Sequence, residues 1–221
     1  MNIILDFDST IIQAEGLDVL AEICFKEDKS KISEIEKITH QGMNGELSMQ
    51  DSLSRRIELL EATTSDIDTL YQKLITKISA TIHFLIDSKD IFPEKVYVVS
   101  GGFIEYVLPV CKHIGISENH IIANQFIYQG DKIIGFNTQS LVSQSRGKTK
   151  AIKKLNLASP TFMVGDGYTD YEVKLDKVVD YFIAYTETIN RPKVTEKADY
   201  ICTNFQEVLD IIYEHKITKI F

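Results

Sequence analysis

The sequence predicts an α/β fold: a parallel-sheet core with a helical segment inserted after its first strand and a small β-hairpin. Three observations predict it. Short, continuously apolar runs recur at 2–7 (NIILDF), 96–100 (VYVVS), 161–165 (TFMVG), 181–185 (YFIAY) and 200–203 (YICT), the pattern of strands buried on both faces. Helical periodicities alternate with the later runs, as crossovers between parallel strands require. Between the first run and the second, residues 14–83 carry helical patterns.

Taken in order, residues 2–7 form the first strand. From Ala14 to Ile82 three apolar stripes repeat at helical spacing: Leu17, Leu20, Ala21 and Cys24; Met49, Leu53, Ile57 and Leu60; then Ile67, Leu70, Tyr71, Leu74 and Ile78. Further helices are expected over 103–114, 148–155, 169–175 and 205–215. In ANQFIYQGDKIIGFN two alternating segments flank Gln129-Gly130-Asp131, a hairpin pattern. The expected organisation is a Rossmann-like core of residues 1–13 and 84–221 carrying an insertion of residues 14–83.

With 221 residues, 44% apolar and 25% charged, the chain has enough length to bury a substantial core. A net charge of −8 disfavours nucleic acid and anionic membranes, which reward a basic surface. It equally repels a phosphate ester, so a phosphate site here needs local cations or a metal. Cys24, Cys111 and Cys202 are odd in number and far apart, which suits reduced thiols packed in a core. No apolar run approaches the length of a membrane span and no basic segment precedes an apolar leader. The expectation is a soluble, cytoplasmic protein. The five histidines have no paired metal-ligand spacing, and the sequence sets no oligomeric state.

In an open parallel sheet, ligands bind beyond the carboxyl ends of the strands. At the first such end stand Asp6 and Asp8; at the second, Ser100-Gly101-Gly102; at the third, Asp166-Gly167 and Asp170. Lys148 opens a helix in SRGKTKAIKKL. Singly, each has a plain reading: Asp8 or Ser9 as a helix N-cap, the glycine segments as turns, Lys148 as part of a solvated face. Together they form a set that phosphoryl chemistry needs. Asp6 and Asp8, two residues apart, leave an extended chain on one face. Carboxylates that close repel unless a divalent cation keeps one ionised while the other holds its proton. An ionised aspartate can attack phosphorus, and a protonated neighbour can supply the leaving alcohol with its proton, then act as base towards water. Asp166 would complete a hard oxygen site of the kind Mg²⁺ takes. Ser100, the glycine amides and Lys148 would neutralise phosphoryl oxygens.

The four ordered motifs, DFDST at 6–10, VSGGF at 99–103, Lys148 and GDGYTD at 165–170, resemble those of the haloacid-dehalogenase-like hydrolases. Over almost its whole length the chain resembles their phosphoserine phosphatase branch. The resemblance implies Asp6 as nucleophile and Asp8 as general acid and base. It implies Mg²⁺ held by Asp6, Asp166 and the main-chain carbonyl of Asp8, with Asp170 supporting, and a phosphate cradle of Ser100, Gly101 and Lys148. The insertion would be a cap whose Glu15, Met49 and Arg56 face the substrate, Glu15 towards an ammonium and Arg56 towards a carboxylate. Helical geometry supports Arg56 separately. At about 100° per residue it falls about 20° from Met49, on the stripe of Leu53 and Leu60, while Arg55 points away. A charge there either snorkels past the stripe or has a partner, and a guanidinium fork fits a carboxylate.

Three departures bear on the substrate. Met49 stands where the family usually has phenylalanine, Tyr168 and Thr169 fill a loop that often reads Ala-Asn or Ala-Thr, and ISATIHFLIDSKDI lacks the common Pro-Gly. The expected reaction is Mg²⁺-dependent hydrolysis of O-phosphoserine through an aspartyl-phosphate. The alternatives are another small phosphorylated metabolite, phosphotransfer to an alcohol, or a non-catalytic domain that kept the fold. A P-loop at Gly147-Lys148-Thr149 is disfavoured because Val142 occupies the position of its first glycine.

Overall fold

The computed structural model describes residues 1–217, so the last four positions of the expected core lie outside the described residues. Six strands pair in the order β3-β2-β1-β6-β7-β8, every pairing parallel. They are β1 (Asn2–Leu5), β2 (Val96–Phe103), β3 (Ile121–Asn124), β6 (Thr161–Gly165), β7 (Tyr181–Tyr185) and β8 (Tyr200–Cys202). Side chains alternate across this sheet. Ile3, Leu5, Val98, Val164, Ile183 and Tyr185 face one layer, built by α6 (Ile104–His113), α10 (Phe205–Ile217) and α5 (Ile82–Asp87). Ile4, Val99, Met163, Phe182 and Ala184 face the other, built by α7 (Gly147–Leu155), α8 (Tyr168–Leu175) and the short α9 (Pro192–Thr195). Burial on both faces explains why the strands read as unbroken apolar runs.

Two strand ends differ from the expectation. β1 stops at Leu5 rather than at residue 7. The Phe7 carbonyl accepts from the Ile11 and Ile12 amides at 2.9 and 3.1 Å, and Ser9 adopts a left-handed φ of 53°, so the chain turns back at once. β2 instead runs through Ser100-Gly101-Gly102 to Phe103, with an irregular register against β3 between Val99 and Phe103. The glycines are a bulged strand end rather than a separate turn.

The insertion contains α1 (Gly16–Phe25), α2 (Lys29–Met43), α3 (Met49–Leu59) and α4 (Thr64–Ile75). Local signals start them. Ser48 accepts from the Asp51 amide at 3.1 Å, and Asp66 accepts from the Thr63 amide at 2.8 Å, both N-terminal caps. The chain leaves and re-enters the core side by side, through the Ile12–Ile78 bridge and the Ser79 amide donating to the Ile11 carbonyl at 2.9 Å. The hairpin β4 (Phe126–Gln129) and β5 (Lys132–Phe136) belongs to the core in sequence yet is stitched to the insertion. Thr64 N donates to Asp131 O and Ile133 N to Ala62 O, each at 2.9 Å. No helix among the described residues is long and apolar enough to cross a membrane.

Candidate active site

Chain order reverses at β1: β2 and β3 extend the sheet to one side, and β6, β7 and β8 to the other. The loops after β1 and β6 therefore diverge and leave a crevice at the carboxyl edge. Asp6 enters it after β1 and Asp166 after β6, while Asp170 and Lys148 come from the first turns of α8 and α7. Lys148 Nζ lies 2.7 Å from Asp6 Oδ2 and 2.6 Å from Asp170 Oδ1, with 4% of its side chain exposed. The other Asp6 oxygen accepts from the Phe7 amide at 2.7 Å, and Asp170 Oδ2 accepts from the Gly167 amide at 3.0 Å.

Asp8 is not the N-cap residue of a helix: Glu15 holds that position in α1, and the Oδ1 of Asp8 reaches across to accept from the amide of Gly16, the first residue of α1, at 2.7 Å. Its Oδ2 makes no hydrogen bond among the described residues and faces the pocket. Burial first, then the Asp6 charge, pushes its pKa up to about 7, so near neutrality a large share of it keeps a proton that an ordinary aspartate would have lost. Burial also raises Asp166 to about 6, against the pull of Arg191, and lifts Asp170 and Glu15 well above their usual range. For Lys148 burial works the other way, but Asp170 and Asp6 outweigh it and keep the ammonium charged.

The donor set fits a hard divalent cation. One oxygen from each of Asp6, Asp166 and Asp170 lies within 4.8 Å of the others. Asp166 Oδ2 is held by Arg191 Nε at 2.9 Å, whereas Asp166 Oδ1 is buried with no hydrogen-bond partner among the described residues. Such an oxygen is costly unless something electropositive meets it. Both oxygens of Asp170 are engaged, one by Lys148 and one by the Gly167 amide.

Asp6, Asp8, Glu15, Met49, Arg56, Gly101 and Lys148 line one pocket of about 20 Å³, room for about one water. Ser100 is not on its wall; it lies fully buried beneath, its hydroxyl accepting from the Gly102 amide at 2.8 Å. Met49 covers Gly101 closely: a Cβ there would come within 2.8 Å of its methyl. Arg56 is 8% exposed. Its Nε donates to Ser52 O and its Nη1 to Thr39 Oγ1, both at 3.2 Å, and among the described residues Nη2 makes no hydrogen bond. Glu15 accepts from the Ser9 hydroxyl at 2.8 Å. A second crevice of about 190 Å³ adjoins this pocket, between residues 42–49 and the starts of α7 and α8, and shares Met49, Lys148 and Thr169 with it.

Sequence reasoning missed Arg191 and Tyr106. Arg191 follows β7, and its terminal nitrogens reach to 3.5 Å from Glu15 Oε1 and from His40 Nδ1. Extending the strand-end survey to the run at 181–185 would have reached its loop. Tyr106, on α6, resembles any core aromatic of an amphipathic helix.

A sequence model of the haloacid dehalogenase-like hydrolases matches residues 3–173. The phosphoserine phosphatase of Drosophila melanogaster is 31% identical over 210 residues, covering 92% of this chain and 75% of that protein. The chain is a haloacid dehalogenase-like hydrolase of the phosphoserine phosphatase family. As such it is a phosphoric monoester hydrolase. The phosphoserine phosphatase of Bos taurus is 30% identical, covering 95% of this chain and 92% of that one. Among solved structures, a phosphoserine phosphohydrolase-like protein from Francisella tularensis superimposes with a TM-score of 0.88 at 30% identity, over 96% of this chain and 99% of that chain. A phospho-aspartyl intermediate analogue of phosphoserine phosphatase superimposes with a TM-score of 0.78 at 25% identity, over 95% and 97% of the two chains.

Proposed function

We propose that this family member hydrolyses O-phosphoserine to serine and phosphate, with Mg²⁺ and through a phosphorylated Asp6. The observation that carries the reading is one pocket with Asp6 and Lys148 at its phosphate end and Glu15 and Arg56 on the wall supplied by the insertion. A carboxyl group and a guanidinium placed there complement the ammonium and carboxylate of an amino acid. The names of the fly and cattle relatives point to the same substrate.

In this reading a carboxylate oxygen of Asp6 attacks phosphorus as the bond to the serine oxygen breaks. Asp8 gives its proton to that oxygen, then takes one from the water that cleaves the acyl phosphate and frees Asp6. Lys148 balances the phosphoryl charge and orients Asp6. Asp6, Asp166 and the Asp8 carbonyl would hold the Mg²⁺, with Asp170 behind them, and when bound it offsets phosphoryl negative charge. Residues 14–83 act as the cap. A pocket with room for about one water cannot admit the substrate, so the cap moves for entry and closes to exclude water.

The test is phosphate release with Mg²⁺ across phosphoserine, phosphothreonine, phosphoethanolamine and sugar phosphates. Phosphoserine should lead, and Asp6→Asn should abolish turnover with an unchanged circular dichroism spectrum. A sugar phosphate in first place would overturn the substrate, and an active Asp6→Asn variant the nucleophile.

A further inference from the structure

Tyr106 is fully buried and lines the same pocket as Asp6 and Asp8. Its ring is held by Phe7 and Phe103, with centroids at 6.0 and 6.3 Å. Two glycines from separate segments make room for it. A Cβ on Gly16 would lie 2.8 Å from the ring and 3.0 Å from the hydroxyl, and one on Gly102 would lie 2.8 Å from the hydroxyl. Packing accounts for the ring but gives the oxygen no purpose, since phenylalanine would fill the same space.

Among the described residues the hydroxyl has no hydrogen-bond partner. Native interiors rarely strand a polar group this way without a reason. Its location supplies one. The position of a Cβ on Gly102, 2.8 Å from the Tyr106 hydroxyl, is 3.1 Å from Asp8 Oδ2, so the two oxygens flank one spot on the pocket wall. Because Asp8 Oδ1 is taken by the Gly16 amide, Oδ2 is the oxygen from which a proton can leave.

We propose that Tyr106 is a further catalytic residue, its hydroxyl donating a hydrogen bond to the substrate ester oxygen that Asp8 protonates. This rests on the phosphomonoesterase chemistry above, with Asp8 as acid. As the P–O bond breaks, negative charge grows on that oxygen, so a fixed donor there is worth more in the transition state than in the ground state. The proton that moves is Asp8's; Tyr106 keeps its own throughout. The benefit is largest for a basic alkoxide leaving group such as serine and small for a phenolate that already delocalises its charge.

Tyr106→Phe keeps the ring and deletes the donor. The parameter to read is kcat/KM, which reports the steps up to departure of the leaving group. It should fall by about tenfold or more for phosphoserine and stay within about threefold of the parent for 4-nitrophenyl phosphate. The thermal midpoint should not drop, because the variant removes an unsatisfied buried hydroxyl. Unchanged kcat/KM for phosphoserine, or equal losses on both substrates, would overturn the assignment. If the parent enzyme leaves phosphoserine untouched, the substrate reading fails separately. The contrast between phosphoethanolamine, which releases an alkoxide, and 4-nitrophenyl phosphate then decides Tyr106 by the same criterion.

Discussion

Replacing Lys148 with methionine tests whether the buried cation holds the acidic cluster together. The ammonium sits 2.7 Å from Asp6 and 2.6 Å from Asp170 with 4% of its side chain exposed. At an effective dielectric constant of about 20, each contact carries about 6 kcal/mol of attraction. Desolvation of all three groups consumes most of it, and deleting one partner of a buried pair costs about 3–5 kcal/mol. Methionine matches the stem, so the loss is electrostatic rather than a cavity. Because Asp170 and Asp6 raise the lysine pKa above its ordinary value, its stabilisation is complete throughout the neutral range and fades only in strong alkali. In the variant the orphaned carboxylates regain stability by taking protons, so the deficit should shrink as pH falls towards the ordinary aspartate range. Urea denaturation in the presence of a chelator, at about pH 7.5 and about pH 5, reads both effects. A deficit under about 1 kcal/mol at the higher pH, or one that does not shrink at the lower, would refute the reasoning.

Two further outcomes are expected. Arg56→Ala should raise KM for phosphoserine by about ten- to a hundredfold, the loss of a charge-assisted hydrogen bond, and leave KM for 4-nitrophenyl phosphate nearly unchanged; equal effects would remove the carboxylate role. Mg²⁺ at about a hundred times its dissociation constant should stabilise the parent by about 2.7 kcal/mol and Asp166→Asn not at all, a contrast that differential scanning fluorimetry reads directly.

How much was legible depended on whether the signal was local. Asp6, Asp8, Asp166 and Asp170 stood out because acids at the ends of apolar runs conflict with burial, and a sheet collects its strand ends at one edge. Arg56 stood out because a charge on an apolar stripe is a contradiction within one helix, and it lies 8% exposed in the pocket. Helix α2 left no such trace. Its buried face is Ile35, Ile38 and Thr39, too sparse a stripe among lysines and glutamates. The edge strand β3 was not read as a strand, since only its Ala123 and Asn124 fall in the hairpin pattern and the Ile121-Ile122 pair before them is too short a run to stand out. Arg191 and Tyr106 were invisible for another reason. Their meaning lies in partners 25 residues or more away, Asp166 for one and the space beside Gly16 for the other, and no window along the chain contains both halves.

The stitching of the hairpin to the α3–α4 connection gives the helical insertion a third mooring. Two chains crossing at Ile12 and Ile78 would make a door hinge, free to swing about one axis. The amides of Thr64 and Ile133 add a tie on a separate side, so the insertion is not free to swing about that axis alone. The segment from Met43 to Met49 has a lighter hold. It is held down by Tyr168 lying against Gly45 and by the Lys193–Glu46 ion pair at 2.9 Å, whose side chains are 63% and 48% exposed. An exposed pair of this kind holds weakly. Under the proposed function, substrate would enter most cheaply at this weakly held edge, over the start of α7, where Lys148 lines the crevice.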